Sequence, residues 1–319
     1  VESLDEIKGV GHRIVQGGAY FDKTEVATED VIAKIDELAT LAPLHNPPAI
    51  VGIRAAMEVM PNAMQTVVFD TAFHQTMAPT EYMYAVPYSW YTEYGIRKYG
   101  AHGTSHKYVA LRMNEILGRN DTKLITCHIG NGASISAVRD GKCVDTSMGL
   151  TPNAGLIMGS RCGDMDATVV TYAMQKTGLS AKEMDTVLNK QSGLLAVSGV
   201  SSDSRDVEDG IKAGNERCIL AQEMYVKRIV EYIAKYYVLL GGCDAIIFTA
   251  GVGENSIDTR RAVLEKLAVL GIKVDETANN VRGEETKITT DDSSVPAYII
   301  PTNEELMIAK DTYSLVLQG

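Results

Sequence analysis

Residues 124–148 constrain the fold of this chain more than any other stretch. The apolar run 124–127 reads as a strand. It breaks at His128-Ile129-Gly130-Asn131-Gly132, resumes over 133–138, turns at Asp140-Gly141 and continues through 142–144. Asp-Gly between alternating apolar residues is a hairpin signal. Gly-Asn-Gly leaves backbone N–H groups bare at a tight turn, where a phosphate can approach without meeting a Cβ. Taken alone, an ordinary glycine-rich turn explains these residues. A phosphate cradle needs support from elsewhere in the chain.

The 319 residues suffice for two domains, each with its own core. The net charge of −11 argues against a general nucleic-acid or membrane surface, so an anionic ligand has to be held by local arginines or backbone N–H groups. The five cysteines show no CxxC spacing, which suggests a reducing compartment, a cytoplasmic location and no zinc site. No apolar run reaches the ~18 residues of a membrane span. The first residues lack the basic and apolar regions of a signal peptide. They also lack an initiator Met, which leads us to expect a preceding segment.

Upstream of the hairpin, residues 7–18 (IKGVGHRIVQGG) read as a strand ending at Gly17-Gly18. An arginine inside it, Arg13, has to be paired, face a cleft or reach water from an edge. Thr28 should cap a helix with Val31, Ile35 and Leu38 as its apolar stripe. Residues 41–48 (LAPLHNPP) form a rigid loop around His45, followed by a helix over 49–60. Asp70 stands directly after the apolar strand 67–69, at the strand end where α/β folds bind ligands; capping of the next turn is the alternative. Residues 82–99, dense in Tyr and holding Trp90, read as a surface loop and strand. Gly103-Thr104-Ser105 should cap a helix over 107–117. His102 and His106 straddle its start, and without an HExxH pattern or third ligand they do not suggest zinc.

Downstream, the glycine-rich segment 149–166 contains Arg161 and is too poor in packing groups for a core, so it reads as a ligand-lining loop. Its Asp164 and Asp166 are either solvated turn acids or metal ligands. Helices are expected at 166–177, 180–189 and 216–240, with a loop or short strand at 191–199. The polar cluster 201–206 either caps the next helix or holds a ribose. Residues 245–256 (AIIFTAGVGENS) repeat the strand-then-glycine pattern with Gly251-Val252-Gly253 as a turn, although GxG alone is weak evidence. A last strand at 295–301 precedes the closing helix, headed by Glu304.

Three glycine loops, an acid at a strand end, and two arginines in strand or glycine-loop settings form a set suited to phosphoryl transfer. That chemistry needs backbone cradles, carboxylates for a metal, and cations for the equatorial oxygens. In this combination the sequence resembles the acetate kinases, of the acetate and sugar kinase/Hsc70/actin superfamily. The matching motifs are GHRIVQGG, LAPLHNPP, VFDTAFH, YGAHGTSH, HIGNGAS, GLTPNAGLIMGSRCGDMD, SSDSRDV, FTAGVGENS and PTNEE. They run in the family's order over nearly the whole chain.

The resemblance implies an α/β fold in which a ribonuclease H-like βββαβαβα unit is duplicated, giving two lobes around a cleft. Residues 1–120 would form an incomplete N-terminal lobe, completed by the helix 304–319, and 121–303 the nucleotide-binding lobe. It implies reversible transfer of a phosphoryl group from ATP to acetate or another short-chain carboxylate. Mg²⁺ (or Mn²⁺) would assist, in a homodimer. Arg13 and Arg161 would grip the carboxylate and the phosphoryl group, with His102 on an equatorial oxygen. Asp70 would be the catalytic Asp and Glu304 the metal ligand. ATP would be held by His128, Ile129, Gly130, Asn131 and Gly132, by Asp203, Ser204 and Arg205, and by Gly251, Val252, Gly253, Glu254 and Asn255. His45 would lie near the acyl phosphate, with Val15, Leu44 and Pro152 lining the methyl pocket. A carboxylate acceptor is already ionised at neutral pH and needs no general base, so Asp70 is expected to orient a ligand or Mg²⁺ and the displacement to be direct and in-line.

Three features depart from the family pattern. Gln16 stands where the family commonly has His. Ala101 stands where it commonly has Phe, which suggests a looser acyl pocket that accepts propionate. The first repeat lacks the opening hairpin that its counterpart at 124–148 leads one to expect. A non-catalytic nucleotide-binding fragment and an acyl-phosphate hydrolase are therefore the competing readings.

Overall fold

The computed structural model describes residues 2–43 and 45–318. Its strands are β1 (Gly9–Ile14), β2 (Glu25–Val26), β3 (Met64–Phe69), β4 (Lys123–Ile129), β5 (Ala133–Arg139), β6 (Lys142–Thr146), β7 (Ala245–Thr249), β8 (Thr286–Lys287) and β9 (Ala297–Ile299). They form two sheets, ordered β1-β3-β2 and β6-β5-β4-β7-β9-β8. In the second, β4, β5 and β6 are an antiparallel meander, and β7 and β9 extend it in parallel from β4. This is the ribonuclease H-like strand order, with β8 added antiparallel at the edge.

The first sheet repeats the last three strands of the second. β1 pairs with β3 in parallel and the two-residue β2 pairs with β3 antiparallel, as β7, β9 and β8 do. The duplication expected from the resemblance is therefore visible as hydrogen-bond topology.

Helix Glu216–Leu240 seals the second sheet. Its inward face, including Tyr225, Ile229, Ile233 and Tyr236, joins Ile125, Cys127, Ile135 and Phe248 in the main core. Each fully buried large apolar side chain contributes about 1.5–3 kcal/mol over its exposed state. A smaller core lies under β1 and β3, where Ile14, Val67 and Phe69 meet Ile32, Ile35 and Ile53. Helix Glu304–Val316 packs back on β1 so closely that a Cβ on Gly9 would lie 2.8 Å from Val316, and one on Gly11 2.5 Å from Ile308. Among the described residues, no helix is long and apolar enough to cross a membrane.

Several local expectations change. Residues 82–99 contain no strand: Pro79 and Pro87 open the short helices Pro79–Tyr82 and Tyr88–Tyr94, because proline's fixed φ suits a helix start and outweighs the β-preference of tyrosine. Pro47 and Pro48 lie in the first turn of helix Asn46–Val59 for the same reason. Gly103-Thr104-Ser105 form the first turn of helix Gly103–Leu117, with His102 at the N-cap position. Residues 191–199 hold a helix, Gly193–Ser198, between two left-handed glycines. Gly251-Val252-Gly253 also lie within a helix, Ala250–Asn255, because Ala250 takes the reversal at φ 65°. The stripe of helix Glu29–Glu37 centres on Ile32 and Ile35. The loop 149–166 does reach the core, through Leu156, Ile157 and Met158.

Candidate active site

The sequence forces Arg13 and Asp70 together. β1 and β3 run parallel in register, so their C-terminal ends emerge side by side, and the Asp70 N–H donates to the Ile14 carbonyl at 2.9 Å. Arg13 then reaches Asp70 with two prongs, Nε to Oδ1 at 3.0 Å and Nη2 to Oδ2 at 2.6 Å. Fork-on-fork pairing matches the carboxylate form. Burial pushes the Asp70 carboxyl up from its ordinary range, and Arg13 pulls against that rise. The pair in turn raises the Arg13 guanidinium, so Arg13 stays cationic.

Around this pair the backbone is tight. The Asp70 carbonyl accepts the N–H of Gly103 at 2.9 Å, and a Cβ at Gly103 would lie 2.3 Å from that oxygen. His102 just before it adopts φ 59°, a left-handed conformation uncommon outside glycine. Its Nδ1 meets Ser134 Oγ at 2.9 Å and its ring stacks on His128 with centroids 4.0 Å apart. Burial, with His128 next, pushes the His102 imidazole well below its ordinary pKa, so it is neutral.

Arg161 approaches from the glycine-rich loop. Its Nη1 donates to the Pro152 carbonyl at 3.0 Å, and it pairs with no carboxylate among the described residues. Burial lowers its pKa, yet it remains a cation with spare N–H groups. A Cβ added at Gly132 would lie 3.3 Å from Arg161 Nη1 and 3.6 Å from His102 Nε2. Gly132 thus marks the point where these two side chains converge, and a larger residue would fill it. His45 faces solvent within the fields of Arg161 and Arg13; burial first, then these two cations, lower its pKa. Val15 and Pro152 are half-buried, and Leu44 lies outside the described residues.

Glu304 heads the closing helix, whose N-cap is Asn303. Its Oε1 is buried without a hydrogen-bond partner among the described residues. Desolvation raises its pKa, opposed by Arg13 and reinforced by Asp70, which places these three charges in one neighbourhood. Among the described residues, no group of three or more His, Cys, Asp or Glu is arranged to hold a metal by itself. Asp164 instead accepts from Gly155 N, and Asp166 caps Thr168.

A cavity of about 630 Å³ opens beside this cluster, lined by Gly130, Asn131, Asp203, Ser204, Arg205, Gly251, Val252 and Asn255 from the expected nucleotide set. Gly159, Leu194, Ser202, Glu208, Tyr225, Ser256 and Arg282 complete it. Tyr225 could not be singled out because its helical spacing reads as core, and Arg282 because its neighbourhood carries no motif. At Gly159 a Cβ would lie 1.9 Å from Asn131 Oδ1 and 2.6 Å from the Ser202 carbonyl, so two cavity walls meet at a bare backbone.

Five of the expected nucleotide residues do not line the cavity. His128 lies behind His102, Ile129 is core, and Gly132 faces Arg161. Gly253 packs on the sheet, its carbonyl accepting Nη1 of the buried Arg260 at 3.0 Å. Glu254 folds back to accept from Ala250 N, a donor of its own helix's first turn, at 2.7 Å, and from Thr302 N at 3.1 Å. Gln16 likewise serves its own turn, accepting from Gly18 N at 2.9 Å. Ala101 is 3 % exposed within the main core, and its carbonyl accepts from His74 Nε2 at 2.9 Å.

Asn46 escaped sequence reasoning. Fully buried, it donates to the carbonyls of Gln16 and Ile35 and accepts from Gln16 N, clamping the turn after Arg13 to the residue after His45.

The chain is similar to known proteins along almost its whole length. Residues 1–310 match the profile described as the Acetokinase family. The acetate kinase of Alkaliphilus metalliredigens is 54% identical over 318 residues, 99% of this chain and 80% of that protein. The acetate kinase of Halothermothrix orenii is 52% identical with the same coverage. The crystal structure of Porphyromonas gingivalis acetate kinase superposes with a TM-score of 0.96 at 48% identity, covering 99% of this chain and 80% of that one. A propionate kinase from Francisella tularensis gives 0.94 at 44%, covering 98% and 80%. With the ribonuclease H-like order of its second sheet, the strand repeat in its first, and these matches along almost its whole length, this chain belongs to the acetokinase family.

Proposed function

We propose that the cleft carries out reversible phosphoryl transfer between ATP and acetate, giving acetyl phosphate and ADP. The observation that carries this reading is the convergence of Arg161, free of carboxylate partners among the described residues, with the neutral His102 at Gly132, beside the Arg13–Asp70 pair and the adjoining cavity.

The adenine and ribose belong in the 630 Å³ cavity, with the phosphates directed along Gly130-Asn131 toward Gly132. Acetate enters on the His45 side, where Arg13 and Arg161 attract its carboxylate and Val15 and Pro152 border its methyl group. The acceptor oxygen is ionised at neutral pH, so the reaction needs alignment and charge stabilisation, with no base to remove a proton. As the γ-phosphoryl leaves ADP, charge spreads over its equatorial oxygens. Arg161 and an N–H of His102 stabilise those oxygens in a setting with little water, where each donor counts for more than in solution. Asp70, fixed by Arg13, orients the ligands rather than accepting a proton.

A magnesium ion fits the residues present. Mg²⁺ is commonly held by one or two carboxylates together with substrate phosphates and waters, and the partnerless Glu304 Oε1 beside Asp70 supplies such a donor. When bound, the ion would neutralise phosphate charge. Residues 1–120 with the closing helix act as the acetate-side lobe and 121–303 as the nucleotide lobe. We place the protein in the cytoplasm as a homodimer, which five unpaired cysteines and the family suit.

Hydroxamate trapping of acetyl phosphate, with ATP, Mg²⁺ and acetate, tests the reading. Acetate-dependent product supports it. ATP binding without product would replace it with a nucleotide-binding role, and consumption of acetyl phosphate without ADP would replace it with a hydrolase.

A further inference from the structure

His102 is held by a line of hydrogen bonds that runs from the cleft into the second sheet. Its Nδ1 meets Ser134 Oγ at 2.9 Å, the same hydroxyl meets His106 Nε2 at 2.8 Å, and His106 Nδ1 meets Thr126 Oγ1 at 2.7 Å. Ser134, His106 and Thr126 are each fully buried. Burial also pushes the His106 imidazole well below its ordinary pKa, so the ring is neutral.

A neutral imidazole has one N–H and one bare nitrogen, and a hydroxyl has one proton. Between two hydroxyls, His106 must therefore accept from one and donate to the other. A hydroxyl can accept twice, but Ser134 has no third partner among the described residues to take its own proton, so it donates to one ring and accepts from the other, and the line has two states. In the first, Thr126 donates to His106, His106 Nε2–H donates to Ser134, and Ser134 donates to His102 Nδ1. The His102 proton then sits on Nε2. In the second, every bond is reversed and His102 Nε2 is bare.

The Thr126 end selects between them. In the second state the Thr126 proton turns to the Ser136 carbonyl, 3.4 Å away, beyond the usual 2.5–3.0 Å range for O–H···O bonds. In the first it lies in the 2.7 Å bond to His106. The first state also leaves an N–H at the His102 nitrogen nearest Gly132 and Arg161, whereas the second would present a lone pair to an anionic oxygen.

We propose that Ser134 and His106, anchored by Thr126, are positioning residues that lock His102 in the Nε2–H tautomer, so that it presents a hydrogen-bond donor to the transferred phosphoryl group. The inference rests on the donor role of His102 in the proposed reaction, and its test separates the two.

The tautomer is read directly by two-bond ¹H–¹⁵N correlation on the full chain labelled with ¹⁵N-histidine, the His102 signals being identified by their loss in His102→Gln. The expected signal is Nε2–H in the unmodified protein; an Nδ1–H signal overturns the proposal without any variant. Ser134→Ala should redistribute the tautomer and lower kcat on the order of tenfold to a hundredfold, with KM for ATP and acetate moving less than about threefold. His106→Gln keeps an N–H toward Ser134 and an acceptor for Thr126, and should retain the tautomer and most of kcat, whereas His106→Phe should lose both. An unchanged Nε2–H signal in Ser134→Ala overturns the relay, whatever happens to activity. A redistributed tautomer with unchanged kcat upholds the relay and overturns the donor role of His102.

Discussion

Arg13 holds Asp70 through two separate nitrogens, Nε at 3.0 Å and Nη2 at 2.6 Å, across the ends of two parallel strands. Lysine can supply the charge of Arg13 but not the fork. Arg13→Lys should therefore lower kcat/KM for acetate more than it lowers stability. Asp70→Asn, which removes the charge and misaligns the fork, should cost on the order of a hundredfold in kcat. Steady-state hydroxamate kinetics check both. A kcat within a few-fold of the unmodified protein for Asp70→Asn would remove Asp70 from the machinery.

Arg161 donates to the Pro152 carbonyl and has no carboxylate partner among the described residues. Its charge is thus available to an anion. Arg161→Gln is expected to reduce kcat about a hundredfold to a thousandfold with little change in melting temperature, because no ion pair is lost from the fold. A large fall in melting temperature with modest loss of kcat would make its role structural.

Gly159 stands where two walls of the proposed nucleotide cavity touch. Gly159→Ala should displace Asn131 or the Ser202 backbone and raise KM for ATP about tenfold, while KM for acetate moves much less. Titration of each substrate at saturating levels of the other separates the two effects, and equal changes in both would argue against the assignment of this cavity to ATP.

His74 and His128 are buried and each is pushed down to about 4 by desolvation, from an ordinary value of 6.5. The fold therefore prefers both rings neutral, and the unfolded chain binds more protons over that interval. Stability should be fully present above about pH 6.5 and fall as pH drops toward 4, by ~3 kcal/mol per histidine at the limit. Denaturant titrations at pH 7 and pH 4.5 would measure the fall, and His74→Gln should flatten it. An unchanged pH slope in that variant would show that His74 is not one of the groups responsible.

Much of this site was legible because its residues sit at breaks in pattern. Asp70 follows an apolar run without a spacer, Arg13 interrupts another, and Arg161 lies among glycines. What escaped depends on partners far along the chain. Ser134 becomes informative only through His106, 28 residues away, and Asn46 only through Gln16 and Ile35. Gly251-Val252-Gly253 misled for a local reason: a GxG reads as a turn, but Ala250 takes the reversal and Glu254 caps the Ala250 N–H. The tyrosines of 82–99 misled because their strand preference yields to proline at two helix starts.

The packing of helix Glu304–Val316 on β1 has a consequence for synthesis of the chain. Gly9 and Gly11 are covered by Thr312, Val316 and Ile308, and Thr66 Oγ1 meets Thr312 Oγ1 at 2.7 Å in a buried pair. The second sheet draws all its strands from residues 123–299, and it can close while the ribosome is still at work. The first sheet is drawn from residues 9–69 but its cover lies at 304–316, so it is sealed only after the strands of the second sheet have been made. Until then the face of β1 and β3 that carries Gly9, Gly11 and Thr66 stays uncovered, and this interval is where a growing chain is most exposed to misassembly.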